Sequence, residues 1–271
     1  MIDLAAIGRE VPTPWVERPE PAPGHGRLGE LAGWLAAAQG QWPPREPARP
    51  RLVAVSTGDW DDSELAAIAG LTTRVVRPTG DVEPALAAGI AAADAEADEG
   101  ADLAVVVGTG ADVAAAAAAA ALTDLEPAAA VALGPDDVAW RRDVVAVRDL
   151  LRSIRPHADT PYALLSTVDS AVLSALAGVV LQASVRRTPV VLDGLAACAA
   201  AATVYRLAPY AAEWWLVADR GESPAQHSAV GMMRLRPVLE LGTEAGHAGP
   251  LVVPLLRAAA RLAAARNPDG V

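Results

Sequence analysis

The spacing of apolar residues switches along the chain between a helical period and short β-branched runs, with glycines, prolines and acidic residues at the switches. In GRLGELAGWLAAAQ, Leu28, Leu31, Trp34 and Leu35 recur at helical spacing, which predicts an amphipathic helix before a proline cluster from Pro43 to Pro50. From Arg51 the texture changes. RLVAVSTGD predicts a strand ending at a Gly-Asp turn, DDSELAAIAG a helix opened by Asp or Ser caps, and TTRVVRPTGD a second strand. DVEPALAAGIAAADAEADEG then reads as a helix, ADLAVVV as a strand and GTGAD as a glycine turn before an alanine-rich helix through Leu122.

The second half continues the alternation. RRDVVAVRDLLRS predicts a surface-facing helix, and TVDSAVLSALAGVVLQASVRR a long helix starting near Asp169. TPVVLDG predicts a buried strand ending at Asp193 and Gly194, and LAACAAAATVYRLAP a helix stopped by Pro209. AEWWLVADRG predicts a strand whose adjacent Trp214 and Trp215 face opposite sides. RPVLELGTEAGHAGP reads as turn-rich, and LVVPLLRAAARLAAAR as a closing helix with Pro254 near its start. Strand, loop and helix in repeated order predict an α/β fold: a Rossmann-like three-layer domain on a parallel sheet. Residues 1–271 read as a single domain, with 1–50 and 250–271 contributing a small helical annex.

Composition narrows the chemistry. Acidic residues outnumber basic ones 33 to 22 and the formal charge is −11, which argues against a nucleic-acid or anionic-membrane partner. Every basic residue is arginine, so Schiff-base and phosphate-loop lysine chemistries are excluded. Cys198, in an alanine run, reads as a buried inert thiol. MIDLAAIGREVPTPW carries an early acid, Asp3, and no basic region before an apolar core, so a cytoplasmic protein without a signal peptide is expected. The longest apolar stretches are broken by Asp102, Gly108, Gly110 and Asp112, or by Ser174 and Gly178, and no membrane span is expected.

Ligands of open parallel sheets bind beyond the carboxyl ends of the strands. Four such exits are expected on one face: Ser56 to Asp59, Gly108 to Asp112, Asp193 with Gly194, and Ala218 to Ser223. GTGAD either brings backbone amides close to a phosphate at the positive end of a helix or simply turns the chain. Asp59 and Asp193 end strands where carboxylates hold a ribose, a metal or a helix cap. Asp61 and Asp62 have neither a spaced histidine partner nor a calcium-loop pattern, so no metal site is expected, and no cofactor. His25, His157, His227 and His247 all lie in loop-like sequence, and His157 reads as a solvated surface residue. Gly246 and Gly249 beside His247 permit close approach to a ligand. Arg220 and His227 form either a clamp for an anion or ordinary surface pairs. Glu244, the carboxylate of the last glycine-containing turn, is the choice for general base.

These residues carry a resemblance. APGHGRLGELAGWLAAAQG (22–40), ALAGVVLQASVRRTPVVLDGLAACAAAATVYRLAP (175–209), RPVLELGTEAG (236–246) and PLLRAAARL (254–262) resemble segments of the nicotinate-nucleotide–dimethylbenzimidazole phosphoribosyltransferase family. The family's final loop, typically LGEGSGA, corresponds to LGTEAGHA here, which makes Glu244 the counterpart of its general-base glutamate and His247 a second candidate base. Its GEMGIGNTT loop is reduced to Gly108, Thr109, Gly110, Ala111 and Asp112; its AGDHG turn keeps Asp59 but has Trp60 in place of histidine. Its SHRSAEPGH segment appears as ADRGESPAQH, with Arg220, Glu222 and a displaced His227.

The resemblance implies transfer of phosphoribose from nicotinate mononucleotide, or a related nucleotide, to an azole base such as 5,6-dimethylbenzimidazole. It implies Glu244 and His247 as catalytic groups. Asp59, Gly108, Thr109, Gly110, Asp193, Gly194, Arg220, Glu222, His227 and Gly246 are the implied substrate-binding residues. Its members pair as homodimers or as heterodimers with a paralogue. A non-catalytic paralogue that binds nucleotide or azole beside an active homologue is the alternative, and an unrelated α/β nucleotide-binding enzyme a third.

Overall fold

A computed structural model describes residues 2–15, 25–60, 64–133 and 136–265. The β-branched runs become β1 (Pro50–Val55), β2 (Thr72–Val76), β3 (Leu103–Gly108), β4 (Val190–Asp193) and β5 (Trp215–Asp219), and β6 (Pro237–Leu239) joins them. All neighbours pair in parallel, in the order β2-β1-β3-β4-β5-β6. β3 and β4 lie inside the sheet with every residue buried, as expected for strands covered on both faces. Because every strand runs the same way, all six carboxyl ends emerge along one edge.

The described helices are α1 (Leu4–Arg9), α2 (Gly26–Gln39), α3 (Glu64–Ala69), α4 (Val82–Asp98), α5 (Asp112–Thr123) and α6 (Pro127–Ala130). They continue as α7 (Asp137–Ile154), α8 (Pro161–Val168), α9 (Ala171–Val185), α10 (Gly194–Tyr205), α11 (Pro224–Met232) and α12 (Ala248–Ala265). Alternate strand residues divide the core between the two faces. Val53, Val55, Ala104, Val106, Val190 and Leu192 pack with α4, α5, α9 and α10. Leu52, Ala54, Leu103, Val105, Val107 and Val191 pack with α2, α3 and α12. α2 and α12, from the two ends of the chain, also pack on each other, so the expected helical annex is the layer that covers this second face. By length and composition α12 alone among the described helices would suffice to cross a membrane, and half of it is buried within the protein.

The alanine-rich composition has a packing consequence. A Cβ on Gly89 of α4 would land on the carbonyl of Ala175, and one on Gly178 of α9 would lie 2.5 Å from the carbonyl oxygen of Leu86. The two helices therefore cross with their backbones nearly touching, and small residues are what allow it. α7 faces solvent as predicted: Val147, Leu151 and Ile154 at helical spacing are its buried residues. Cys198 is completely buried, and that burial pushes its thiol pKa upward, away from reactivity.

Three local expectations change. β5 begins at Trp215, because Pro209–Trp214 coil into a 3-10 helix; Trp214 and Trp215 consequently enter the same core cluster rather than opposite faces. Their indole N–H groups donate to the Pro12 carbonyl and to Ser184 Oγ, at 2.8 and 2.9 Å. α10 ends at Tyr205, before Pro209. The turn-rich segment contains β6, a three-residue edge strand starting with proline, where a missing N–H costs nothing. Arg27 of α2 secures it by donating from Nη2 to the carbonyl oxygens of Arg236 and Pro237, at 2.8 and 3.2 Å. The expected caps at Asp61, Asp62 and Ser63, the weighed metal ligands Asp61 and Asp62, and residues 22–24 of the first matching segment lie outside the described residues.

Candidate active site

The carboxyl ends of β3, β4 and β5 open into a cavity of about 540 Å³. Gly108 and Gly194 line it where β3 and β4 end. Gly108 has no room for a side chain: a Cβ there would lie 2.5 Å from Leu176 Cδ1. Gly194 has φ +86 and its Cβ would lie 2.5 Å from that of Ala245, so backbone conformation and space both demand glycine. One wall is the start of α5, with Asp112, Val113 and Ala116; another is α7, with Asp143 and Val147. Gly221, Glu222 and Ser223 come from the exit of β5, and Thr243, Glu244 and Ala245 from the loop after β6.

The charges are one-sided. Asp112, Asp143, Glu222 and Glu244 line the cavity, and among the described residues no arginine or histidine does. Positive potential comes instead from backbone. α5 and α10 both start at the cavity, and neither has a side-chain hydrogen bond to its cap, so first-turn N–H groups face it without an internal partner. Thr109 Oγ1 donates to Ser56 Oγ at 3.0 Å, tying the exits of β1 and β3 together at the point where the chain reverses its direction of travel across the sheet.

The loop that carries Glu244 is held by two buried carboxylates. Asp219, the last residue of β5, accepts from the Leu241 N–H at Oδ1 (2.7 Å) and from the Thr243 N–H at Oδ2 (3.1 Å). Asp193, the last residue of β4, accepts at Oδ2 from the N–H groups of Gly246 (3.1 Å) and Gly249 (2.7 Å). Gly249 lies in the first turn of α12, so Asp193 also caps that helix from another part of the chain. Burial is nearly complete for both carboxylates. It raises the Asp193 pKa from 3.8 to about 6 even though the Gly249 and Gly246 amides oppose the shift; the Asp219 charge adds to it and His247 opposes it.

Of the residues expected in the site, Gly108, Thr109, Gly110, Gly194, Glu222 and Glu244 line one cavity. The others stand apart from it. Asp59 is exposed beyond β1. Arg220 is exposed, and its backbone N–H continues the ladder to the Leu239 carbonyl. His227 turns its ring to the Gly221 carbonyl, with Nε2 at 2.9 Å. His247 lies on the exposed side of the loop, its Nδ1 3.2 Å from the Glu244 carbonyl oxygen. Gly246, with φ +95, packs against Trp60, and Asp193 spends its carboxylate on backbone amides.

Three contributors carry no role by sequence alone: Asp219, inside the expected exit Ala218 to Ser223, Asp143, and Gln226, which is buried and donates from Nε2 to the carbonyls of Asp219 and Arg220 at 2.9 and 3.1 Å. Asp219 had a readable signal, since WLVAD ends as VVLD does, with a carboxylate closing a buried strand.

A parallel sheet with glycine turns, open helix N-termini and an exposed carboxylate at its carboxyl edge defines a ligand-binding α/β domain of the doubly wound class. The chain belongs to the DBI_PRT phosphoribosyltransferase family, whose sequence profile matches residues 78–267. It is 36% identical over 296 residues to the nicotinate-nucleotide–dimethylbenzimidazole phosphoribosyltransferase of Mycobacterium avium, covering 86% of this chain and 85% of the relative. With the enzyme of that name from Mycobacterium tuberculosis the identity is 33% over 299 residues, covering 88% and 83%. The crystal structure of the Thermus thermophilus enzyme superposes with a TM-score of 0.76 at 26% identity, over 96% of this chain and 95% of that one. Both sequence alignments are longer than the 271 residues here, so the relatives carry residues that this chain lacks.

Proposed function

We propose that this chain transfers the phosphoribosyl group of nicotinate mononucleotide, or a related nucleotide, to an azole base such as 5,6-dimethylbenzimidazole. The observation that carries the reading is one cavity shared by the Glu244 carboxylate and the uncapped first turns of α5 and α10, in a chain of this family. The unprotonated azole nitrogen attacks ribose C1′, and the bond from C1′ to the pyridinium nitrogen breaks. Its electron pair returns to the ring, nicotinate leaves, and the configuration inverts to give an α-ribazole phosphate. The second azole nitrogen gives its proton to Glu244. The leaving group is already cationic, so the protein's work is to align two substrates, hold the phosphate and accept one proton. Backbone amides of Gly110 to Asp112 and at Gly194 take the phosphate, since among the described residues no cationic side chain lines the cavity. Acidic walls complement the pyridinium.

The same reading carries a cytoplasmic enzyme that pairs with a second copy or a paralogue. Nicotinate release from nicotinate mononucleotide plus 5,6-dimethylbenzimidazole tests the activity. Release that depends on both compounds supports it; nucleotide binding without release supports the non-catalytic paralogue.

A further inference from the structure

We infer that Asp193 and Asp219 are positioning residues, which together hold the Glu244 loop from both sides so that its carboxylate meets the cavity. Their four hydrogen bonds fall on the amides of residues 241, 243, 246 and 249, and Glu244 stands between the two pairs. Thr243 on one side is its direct neighbour, and Gly246 on the other is two residues away. The backbone is therefore pinned close to Glu244 in both directions while its side chain stays exposed.

Both anchors end neighbouring strands of the sheet, the stiffest part of the fold, so the position of the loop is referred to β4 and β5. Steric contacts act in the same direction. Ala245 meets the chain at Gly194, Gly246 lies against Trp60, and a Cβ on Gly249 would collide with Val105 and the Asp193 carboxylate. Neither aspartate lines the cavity, which separates this role from substrate binding. Two buried carboxylates side by side repel each other and resist desolvation, and the arrangement stands because each accepts two N–H bonds. An ordinary loop anchor needs no such pair. Holding a reacting group to within a fraction of an ångström does, since a displacement of about 1 Å costs on the order of a hundredfold in rate.

The kinetic part of this inference rests on the phosphoribosyl-transfer reading; the structural part does not. The test uses the full chain, the variants D193A, D219A, D193N and D219N, and two measurements. The first is hydrogen exchange of residues 240–249 against that of β3. The second is nicotinate release, with kcat separated from the nucleotide Kd. In both alanine variants, exchange of 240–249 is expected to accelerate more than ~10-fold with β3 unchanged, and kcat to fall on the order of 100-fold with Kd retained. The asparagine variants, which keep one acceptor oxygen and serve should an alanine variant fail to fold, are expected between these and the unaltered chain in both measurements. Unchanged exchange overturns the inference, and so does loosened exchange with unchanged kcat. If the unaltered chain releases no nicotinate, the transfer reading fails alone, and the clasp is decided by whether the variants loosen 240–249.

Discussion

Asp193 links the site to folding stability in a measurable way. Its pKa is 3.8 in an open chain and about 6 in the fold, where burial is the dominant cause. Below pH 3.8 the carboxyl is neutral in both states and imposes no charge cost. As pH rises from there through about 6, the unfolded chain releases its proton first, so stability is lost; above that range the full cost is in place. A difference of about two pK units corresponds to about 3 kcal/mol at neutral pH. D193N is uncharged at every pH and nearly the same shape, so it removes this dependence. Its altered hydrogen bonds to Gly246 and Gly249 add an offset that does not titrate. The charged neighbours of Asp193, Asp219 and His247, are present in both proteins. Urea unfolding followed through the seven tryptophans, at intervals from pH 4 to pH 8, gives both curves. The variant is expected to gain on the unaltered chain by up to about 3 kcal/mol over that range. Parallel curves would refute the reasoning, as would a gain by the unaltered chain with rising pH.

Other outcomes follow from the same geometry. E244Q keeps the shape of the cavity but cannot accept a proton; kcat for nicotinate release is expected to fall about 100-fold or more, with the nucleotide Kd by calorimetry unchanged. H247A and R220A alter side chains outside the cavity lining and should leave turnover in the same assay near that of the unaltered chain. G194A forces a side chain onto φ +86 and against Ala245, and is expected to cost about 1–3 kcal/mol by urea unfolding and to lower kcat by displacing the Glu244 loop. G89A separates α4 from α9, neither of which lines the cavity; a loss of about 2–3 kcal/mol, seen as a lower thermal midpoint, is expected with nucleotide affinity kept by the folded protein.

Much of the fold was legible because buried parallel strands leave an unbroken signature. LAVVVG and VVLD are continuous apolar runs closed by glycine or aspartate, and the glycine or acidic residue marks where the chain leaves the sheet toward the ligand edge. β6 was not legible, since three residues led by proline carry no period, and their place is set by Arg27 reaching across from α2. Trp214 and Trp215 look like consecutive strand residues until Pro209 starts a 3-10 turn that runs into them. In the site, Glu244 was legible as the carboxylate of a glycine-containing turn, and Glu222 through the resemblance of ADRGESPAQH to a family segment. By charge alone Arg220 and His227 fit either an anion clamp or ordinary surface pairs; the ring of His227 is engaged with Gly221 and Arg220 leaves the sheet toward solvent. The aspartate clasp was hidden for another reason. Its partners are backbone N–H groups 22 to 56 positions further along the chain, and a backbone donor has no letter in a sequence.

The most direct measurement is nicotinate release by the purified chain from nicotinate mononucleotide in the presence and absence of 5,6-dimethylbenzimidazole, with E244Q run alongside. Release is expected to require the azole, to yield an α-ribazole phosphate and to fall on the order of 100-fold in E244Q. No azole-dependent release from the unaltered chain, or equal release by E244Q, would contradict the transfer reading.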